Sequence, residues 1–245
     1  NVSEHGVMVG GTYFPRGSVV AVIETAWNPD KGAYTAQTAS DTLPYGTYRI
    51  AETATNESYL LTDGAPRTFE VREDGKVVTA DREGEALLWR DQVVRHDMHL
   101  QKKGSILGGK LAHVPFLITN VTTGEAHVAI TDRNGMLSTS SEWRSREQAA
   151  NANDRLLQED YIHTADVVED SGIWFGLGED GTIAEPDDAL GALPYGEYRI
   201  EELRCEANEG YALWSDTFNV SRDTTATPFD IDLGTAVSYT HLTLP

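Results

Sequence analysis

The chain has 245 residues, enough for one large domain or two ordinary ones, and 19 basic against 39 acidic residues leave a formal charge of −20. A field of that sign repels nucleic acid and anionic lipid, so neither is expected as a partner. The acidic residues are dispersed and 40% of the chain is hydrophobic, which points to a folded core and away from disorder.

Taken in order, the elements are short strands. Residues 18–25 alternate, and Pro44-Tyr45-Gly46 then has the chemistry of a turn, with Pro presetting φ and Gly accepting left-handed values. Beyond it Tyr48, Ile50 and Glu52 share one face, and Arg49 and Ala51 the other. Further strands are predicted over 69–72, 76–79, 86–95, 98–102, 114–119 and 127–131. The sole helical candidate covers 142–157. A second turn, Pro194-Tyr195-Gly196, precedes another alternating run in which Tyr198, Ile200 and Glu202 share a face, followed by strands at 218–220 and 229–233. Short strands at this spacing, punctuated by Gly, Asn and Asp, imply antiparallel β-sandwich architecture.

The two turns belong to an internal repeat. Residues 43–52 read LPYGTYRIAE and residues 193–202 read LPYGEYRIEE, eight of ten positions agreeing at an offset of 150. Each copy is followed by a second tyrosine (Tyr59, Tyr211) and by a Phe-x-Val strand (Phe69, Phe218). A domain has been duplicated, with elements in the same order. Strand parity turns Glu52 and Glu202 toward the core with the Tyr and Ile residues, where a carboxylate must be protonated, paired or able to reach solvent.

Chemical signatures are otherwise sparse. The single cysteine, Cys205, excludes an internal disulfide and lacks the surroundings of an activated thiol. His96 and His99 are three apart on a strand and point to opposite faces, and the Asp132/Asn134/Gly135 run lacks the bidentate Glu of a calcium loop. No nucleotide, serine-hydrolase or zinc-protease motif is present, so neither metal nor cofactor is expected. No apolar run approaches the roughly 20 residues of a helical membrane span. Starting at Asn1 with no initiator Met or signal peptide, the sequence is read as part of a longer protein, with residues 237–245 a non-native-looking tail.

The repeated G-x-Y-x-apolar-x-E pattern resembles the glutamate strand of the Cna B-type, SpaA-like domains of Gram-positive pilins and adhesins. The Thr131–Gly135 stretch (TDRNG) is similar to the turn that precedes that strand, and Trp89 to Asp97 (WRDQVVRHD) resembles a junction where one domain runs straight into the next. The resemblance covers about residues 7–235. It implies two tandem transthyretin-like, inverse Ig-like antiparallel sandwiches: residues 1–94, lacking a first strand, and residues 95–236, with a long insertion over 136–192. It also implies a structural stalk module of a cell-wall-anchored surface protein on a bacterium, partnered by neighbouring domains of its own polypeptide, and not a turnover enzyme.

Such domains form an intramolecular isopeptide bond. A first-strand lysine attacks an Asn or Asp side chain on the last strand, and a buried glutamate moves the protons. Carried onto this chain, the resemblance makes Lys102 the amine and Glu202 the proton carrier of the second domain, with Lys103 and Glu201 facing solvent. In the first domain Glu52 and Asp91 take the carrier and acceptor positions, without a first-strand lysine. Asp91 lies 91 − 69 = 22 residues past Phe69; the matching position, 218 + 22 = 240, is Thr240. Asp230 and Asp232 come too early by this count. The chain as written is therefore expected to carry no isopeptide bond. An alternative is a ligand-binding adhesin domain that takes a host matrix protein or glycan on insertion aromatics Trp143, Trp174 and Phe175; a third reading, sandwiches appended to a carbohydrate-active enzyme, needs a catalytic domain outside this sequence.

Overall fold

The repeat folds twice into the same local structure. A computed structural model of the chain describes residues 1–61, 64–105, 108–179, 181–222 and 230–239, nearly all of its regular structure β. Gly46–Ile50 pairs antiparallel with Arg67–Val71, matching Tyr48 to Phe69; Gly196–Glu202 pairs with Ser215–Val220, matching Tyr198 to Phe218. In each copy the Tyr ring stacks on the Phe, with centroids 5.7 and 5.3 Å apart, and the Tyr hydroxyl donates to the carbonyl of the turn proline at 2.8 Å. The hydroxyl pins the turn to the strand it feeds, and so fixes which face the strand buries.

The chain divides into two units, Asn1–Thr55 with Leu61–Asp91, and Asn56–Leu60 with Gln92–Pro245. The first holds three two-stranded pairs: Val7–Val9 (β1) with Thr12–Phe14 (β2), Ala26–Asn28 (β3) with Ala33–Thr35 (β4), and Gly46–Ile50 (β5) with Arg67–Val71 (β7); the intervening Tyr59–Leu60 (β6) belongs to the second unit. Its core is small, Val7, Tyr48 and Phe69, flanked by half-buried Phe14, Val20, Leu43, Ile50 and Val71. The strands expected over 18–25 and 76–79 do not form, and the run 86–95 becomes only Gln92–Val93 (β8) and the start of the next strand. Their alternation finds no partner strand among the described residues, and pattern alone does not satisfy a backbone.

In the second unit β6 pairs with β8, and two four-stranded sheets follow. Pro115–Asn120 (β10) sits between Ala126–Ile130 (β11) and β14 (Gly196–Glu202), which also pairs with β15 (Ser215–Val220). The other sheet centres on Arg95–Gly104 (β9), joined by Met136–Ser138 (β12), Leu193–Pro194 (β13) and, in parallel, Asp230–Ser238 (β16). Met98, Leu100, Phe116, Ile118, Tyr198 and Ile200 fill the core. On β9 burial alternates strictly, placing His96, Met98, Leu100, Lys102 and Gly104 inward.

The insertion is drawn into this core. Trp174 and Phe175 are 3% and 0% exposed. The Phe175 ring stands edge-on to His127 at 4.6 Å and to Tyr198 at 5.4 Å, and Arg95 lies 3.8 Å over the Trp174 ring. Arg146 enters with its guanidinium 3.3 Å from Asp97 and bonded to the Leu190 carbonyl. The helix expected over 142–157 gives way to turns and one 3-10 segment, Asp154–Leu156. Asn151 adopts φ +55, outside helical space, and its amide is spent on the Trp174 backbone.

His127 on β11 fastens the insertion electrostatically. Its Nδ1 lies 2.7 Å from Asp154 and its Nε2 3.1 Å from Glu125, which also accepts the Gly176 and Leu177 N–H groups. Burial opposes the imidazolium, but the two carboxylates outweigh it and push the ring up to about 9. The pair's contribution is thus complete below the free-imidazole value of about 6.5, and is lost as pH rises through about 9. Urea midpoints of the native chain should fall between pH 6 and 10 by more than those of His127→Gln. Equal falls in both proteins would remove His127 from the account.

Candidate functional site: a buried lysine and glutamate joined to the last strand

Three strands converge on one buried cluster. Lys102 comes from β9, Glu202 from the end of β14 and Ser238 from the end of β16; their exposures are 0%, 3% and 1%. Lys102 Nζ donates to Glu202 Oε2 at 2.8 Å and to Ser238 Oγ, and Ser238 Oγ donates to the same Oε2 at 2.8 Å. Burial lowers the Lys102 amine from its usual value, while the hydrogen bond and charge of Glu202 pull it back up. Lys103 and Glu201, on the opposite faces of their strands, are only half-buried. The parity that separates 102 from 103 and 202 from 201 is the pleat itself.

The surroundings explain how the strands hold these positions. The turn at 132–136 presses on Lys102: its amide donates to the Gly135 carbonyl at 2.7 Å. Gly135 has φ +71, and a Cβ there would lie 2.7 Å from the Lys102 carbonyl oxygen, so only glycine fits. Asp132 shapes that turn by accepting the Asn134 and Met136 N–H groups at 2.7 and 2.8 Å. Glu202 sits opposite Phe116 in the β10–β14 register, and the Trp214 ring meets Phe116 edge-on. Cys205 is also buried nearby, and its thiol is pushed up by burial, the behaviour of a packing residue.

Two partners of Glu202 were invisible to the strand pattern. Trp214 N–H donates to Oε2 at 2.9 Å, and Asn208 Nδ2 donates to Oε1 at 2.9 Å. Asn208 closes the 3-10 segment Glu206–Asn208, and its Oδ1 accepts the Cys205 N–H at 2.9 Å. A polar Asn six residues past the strand glutamate was the only available signal. Ser238, the third member of the cluster, stands two positions short of the count from Phe218; Thr240 lies outside the described residues.

The other candidates are placed as follows. Asp232 lies across β16 from the site, on the face of His99, whose Nε2 is 3.3 Å away, and so points away from Lys102. The backbone of Asp230 is in register with Asp97, five residues up β9 from Lys102, or about 16 Å at 3.3 Å per residue. In the first unit Glu52 lies two residues beyond β5, and both it and Asp91 are half-buried. Neither lysine of that unit is buried: Lys31 is exposed at the β3–β4 turn, and Lys76 pairs with Glu73 at 3.3 Å. Trp174 and Phe175 are corrected from ligand platform to core, because no ring face is left open; Trp143 remains 44% exposed. His96, facing inward with Nε2 3.1 Å from the Ser221 carbonyl, shares no site with His99. Among the described residues no group of three or more His, Cys, Asp or Glu is placed to hold a metal, and no helix is long and apolar enough to cross a membrane.

No family model and no curated protein matches the chain. Solved structures do. The TIE protein of Bacillus anthracis aligns with 89% of this chain at 18% identity and a TM-score of 0.48. The pilus 2b backbone protein of group B streptococcus aligns with 78% at 12% identity and 0.31, and a minor pilin of Streptococcus agalactiae with 88% at 12% and 0.33. The chain spans 28%, 52% and 67% of those three proteins. At these scores and identities the likenesses assign this chain no ligand and no residue a role.

Proposed function

We propose that this chain is a structural stalk segment of a longer bacterial surface protein, and that its second unit houses an isopeptide-type site in which Ser238 stands where the acceptor side chain belongs. The observation that carries the reading is the fully buried contact of Lys102, Glu202 and Ser238, which ties the first, glutamate and last strands of one unit at a single point. A lysine and a glutamate in a dry core are costly to keep for stability alone. They fit an amine and a proton carrier held against a third strand, where juxtaposition supplies high effective concentration. The partners of such a segment are the neighbouring domains of its own polypeptide. Chemistry at the site would occur once per chain, as maturation and not turnover. Reading the insertion as a platform for a host protein or glycan is left with Trp143 alone of the three candidate aromatics Trp143, Trp174 and Phe175.

The experiment is Ser238→Asn. With a carboxamide where Ser238 Oγ touches Lys102 Nζ, the amine gains a carbonyl carbon within reach. Intact mass should then fall by about 17 Da as ammonia leaves, with the cross-link mapping to positions 102 and 238, and the loss should vanish in Ser238→Asn/Lys102→Met. A folded Ser238→Asn chain of unreduced mass would sink the proposal.

A further inference from the structure

Resting on that reading of the site, we propose that Asn208 is a positioning residue that acts as a brake: its hydrogen bond to Glu202 Oε1 holds the carboxylate charged, and thereby keeps Lys102 as an ammonium with no lone pair to attack with. Four donors converge on Glu202: Lys102 Nζ, Ser238 Oγ and Trp214 N–H on Oε2, and Asn208 Nδ2 on Oε1. The Asn208 amide and the Trp214 N–H can only donate, one to each carboxyl oxygen, and so favour the charged form of the group over the acid.

Amide formation needs the other arrangement of the same protons. One proton must pass from Lys102 Nζ to Glu202, giving a neutral amine and a carboxylic acid. In the Ser238→Asn chain the amine lone pair then adds to the new side-chain carbonyl carbon, the bond from that carbon to its amide nitrogen breaks, and ammonia departs. The second Nζ proton leaves through Glu202, which supplies the leaving nitrogen. Every donor that stabilises the charged carboxylate weighs against the first of these steps.

Among the described residues, Asn208 is the one such donor that is a side chain outside the reacting set. It is 0% exposed and fixed independently of Glu202: Oδ1 accepts the Cys205 N–H, Nδ2 also donates to the Leu203 carbonyl at 2.7 Å, and its own carbonyl takes Arg204 Nη1 at 2.6 Å. The amide is thus aimed at Oε1 by its backbone surroundings. Losing one hydrogen bond to a charged group corresponds to about tenfold in an equilibrium of this kind.

Two measurements test it. In the Ser238→Asn chain, Asn208→Ala should speed cross-linking about tenfold, as the 17 Da loss followed over time. Asn208→Ser, which keeps an oxygen for the Cys205 N–H, should act in the same direction and guards against a folding defect. A residue that merely orients Glu202 would give the opposite result, and slower or unchanged cross-linking overturns the proposal. In chains that keep Ser238, nitrogen NMR of Lys102 Nζ should show the amine losing its proton at a lower pH in Asn208→Ala than in the native chain, because the charge of Glu202 is what holds the ammonium up against burial. An unmoved titration also overturns it, whether or not the Ser238→Asn chain cross-links; absence of any cross-link would instead overturn the reading of the site.

Discussion

Glu202→Ala is expected to destabilise the second unit by about 3–5 kcal/mol, and to lower its melting temperature by roughly 10 °C. The substitution removes little volume compared with its electrostatic effect. It leaves Lys102 at 0% exposure with Ser238 as its remaining partner, and strips the Asn208 amide and Trp214 N–H of their acceptor. An isolated buried charge is the costly state; the pair itself is not the source of much net stability. Lys102→Met with Glu202→Leu in the same chain should therefore recover most of the loss. Thermal and urea unfolding of the single and double variants settle it, and a single variant within 1 kcal/mol of native would mean that water reaches the amine.

Phe175→Ala should be comparably damaging, at about 3–5 kcal/mol for a fully buried phenylalanine. The ring joins Leu156, Ile162 and Ile173 as the insertion's contribution to the core, and is wedged between His127 and Tyr198. Without it the insertion keeps its aliphatic core residues and three polar contacts, His127 with Asp154, Arg95 over Trp174, and Arg146 with Asp97, but loses its largest buried apolar ring between the insertion and β14. Limited proteolysis should then cut first within 136–192, where the native chain is expected to resist. Trp143→Ala, at an exposed position of the same insertion, should change stability by no more than about 0.5 kcal/mol. If the two variants are cleaved alike, the insertion is held by its other contacts and not by this ring.

Strand parity was enough to place Lys102 and Glu202 on inward faces and Lys103 and Glu201 on outward ones, because alternation is a property of the backbone and survives any tertiary context. The repeat likewise marked a Tyr strand and a later Phe-x-Val strand in each unit, but that the two rings stack came from the fold. What sequence could not supply were contacts made across the fold. Asn208 reaches Glu202 from a 3-10 segment with no periodicity, and Trp214 contributes only a backbone N–H. Ser238 depends on a one-residue register shift in β16 between Asp232 and Thr235, which neither alternation nor counting from Phe218 reveals. The insertion misled for a different reason. Two adjacent aromatics between glycines are chemically equal as a platform or a plug, and only the space beside His127 and Tyr198 decides between them.

The parallel pairing of β9 and β16 has a mechanical consequence. A pull on the unit from the Arg95 end of β9 and the Ser238 end of β16 draws the neighbouring strands past one another along their length, so their ladder is loaded in shear, with its hydrogen bonds sharing the strain instead of parting one after another. Lys102 and Ser238 meet near the far end of that ladder. A covalent tie at this point would route tension from β9 directly into β16, leaving residues 103–237, with both the β10–β14 sheet and the insertion, outside the path of the force.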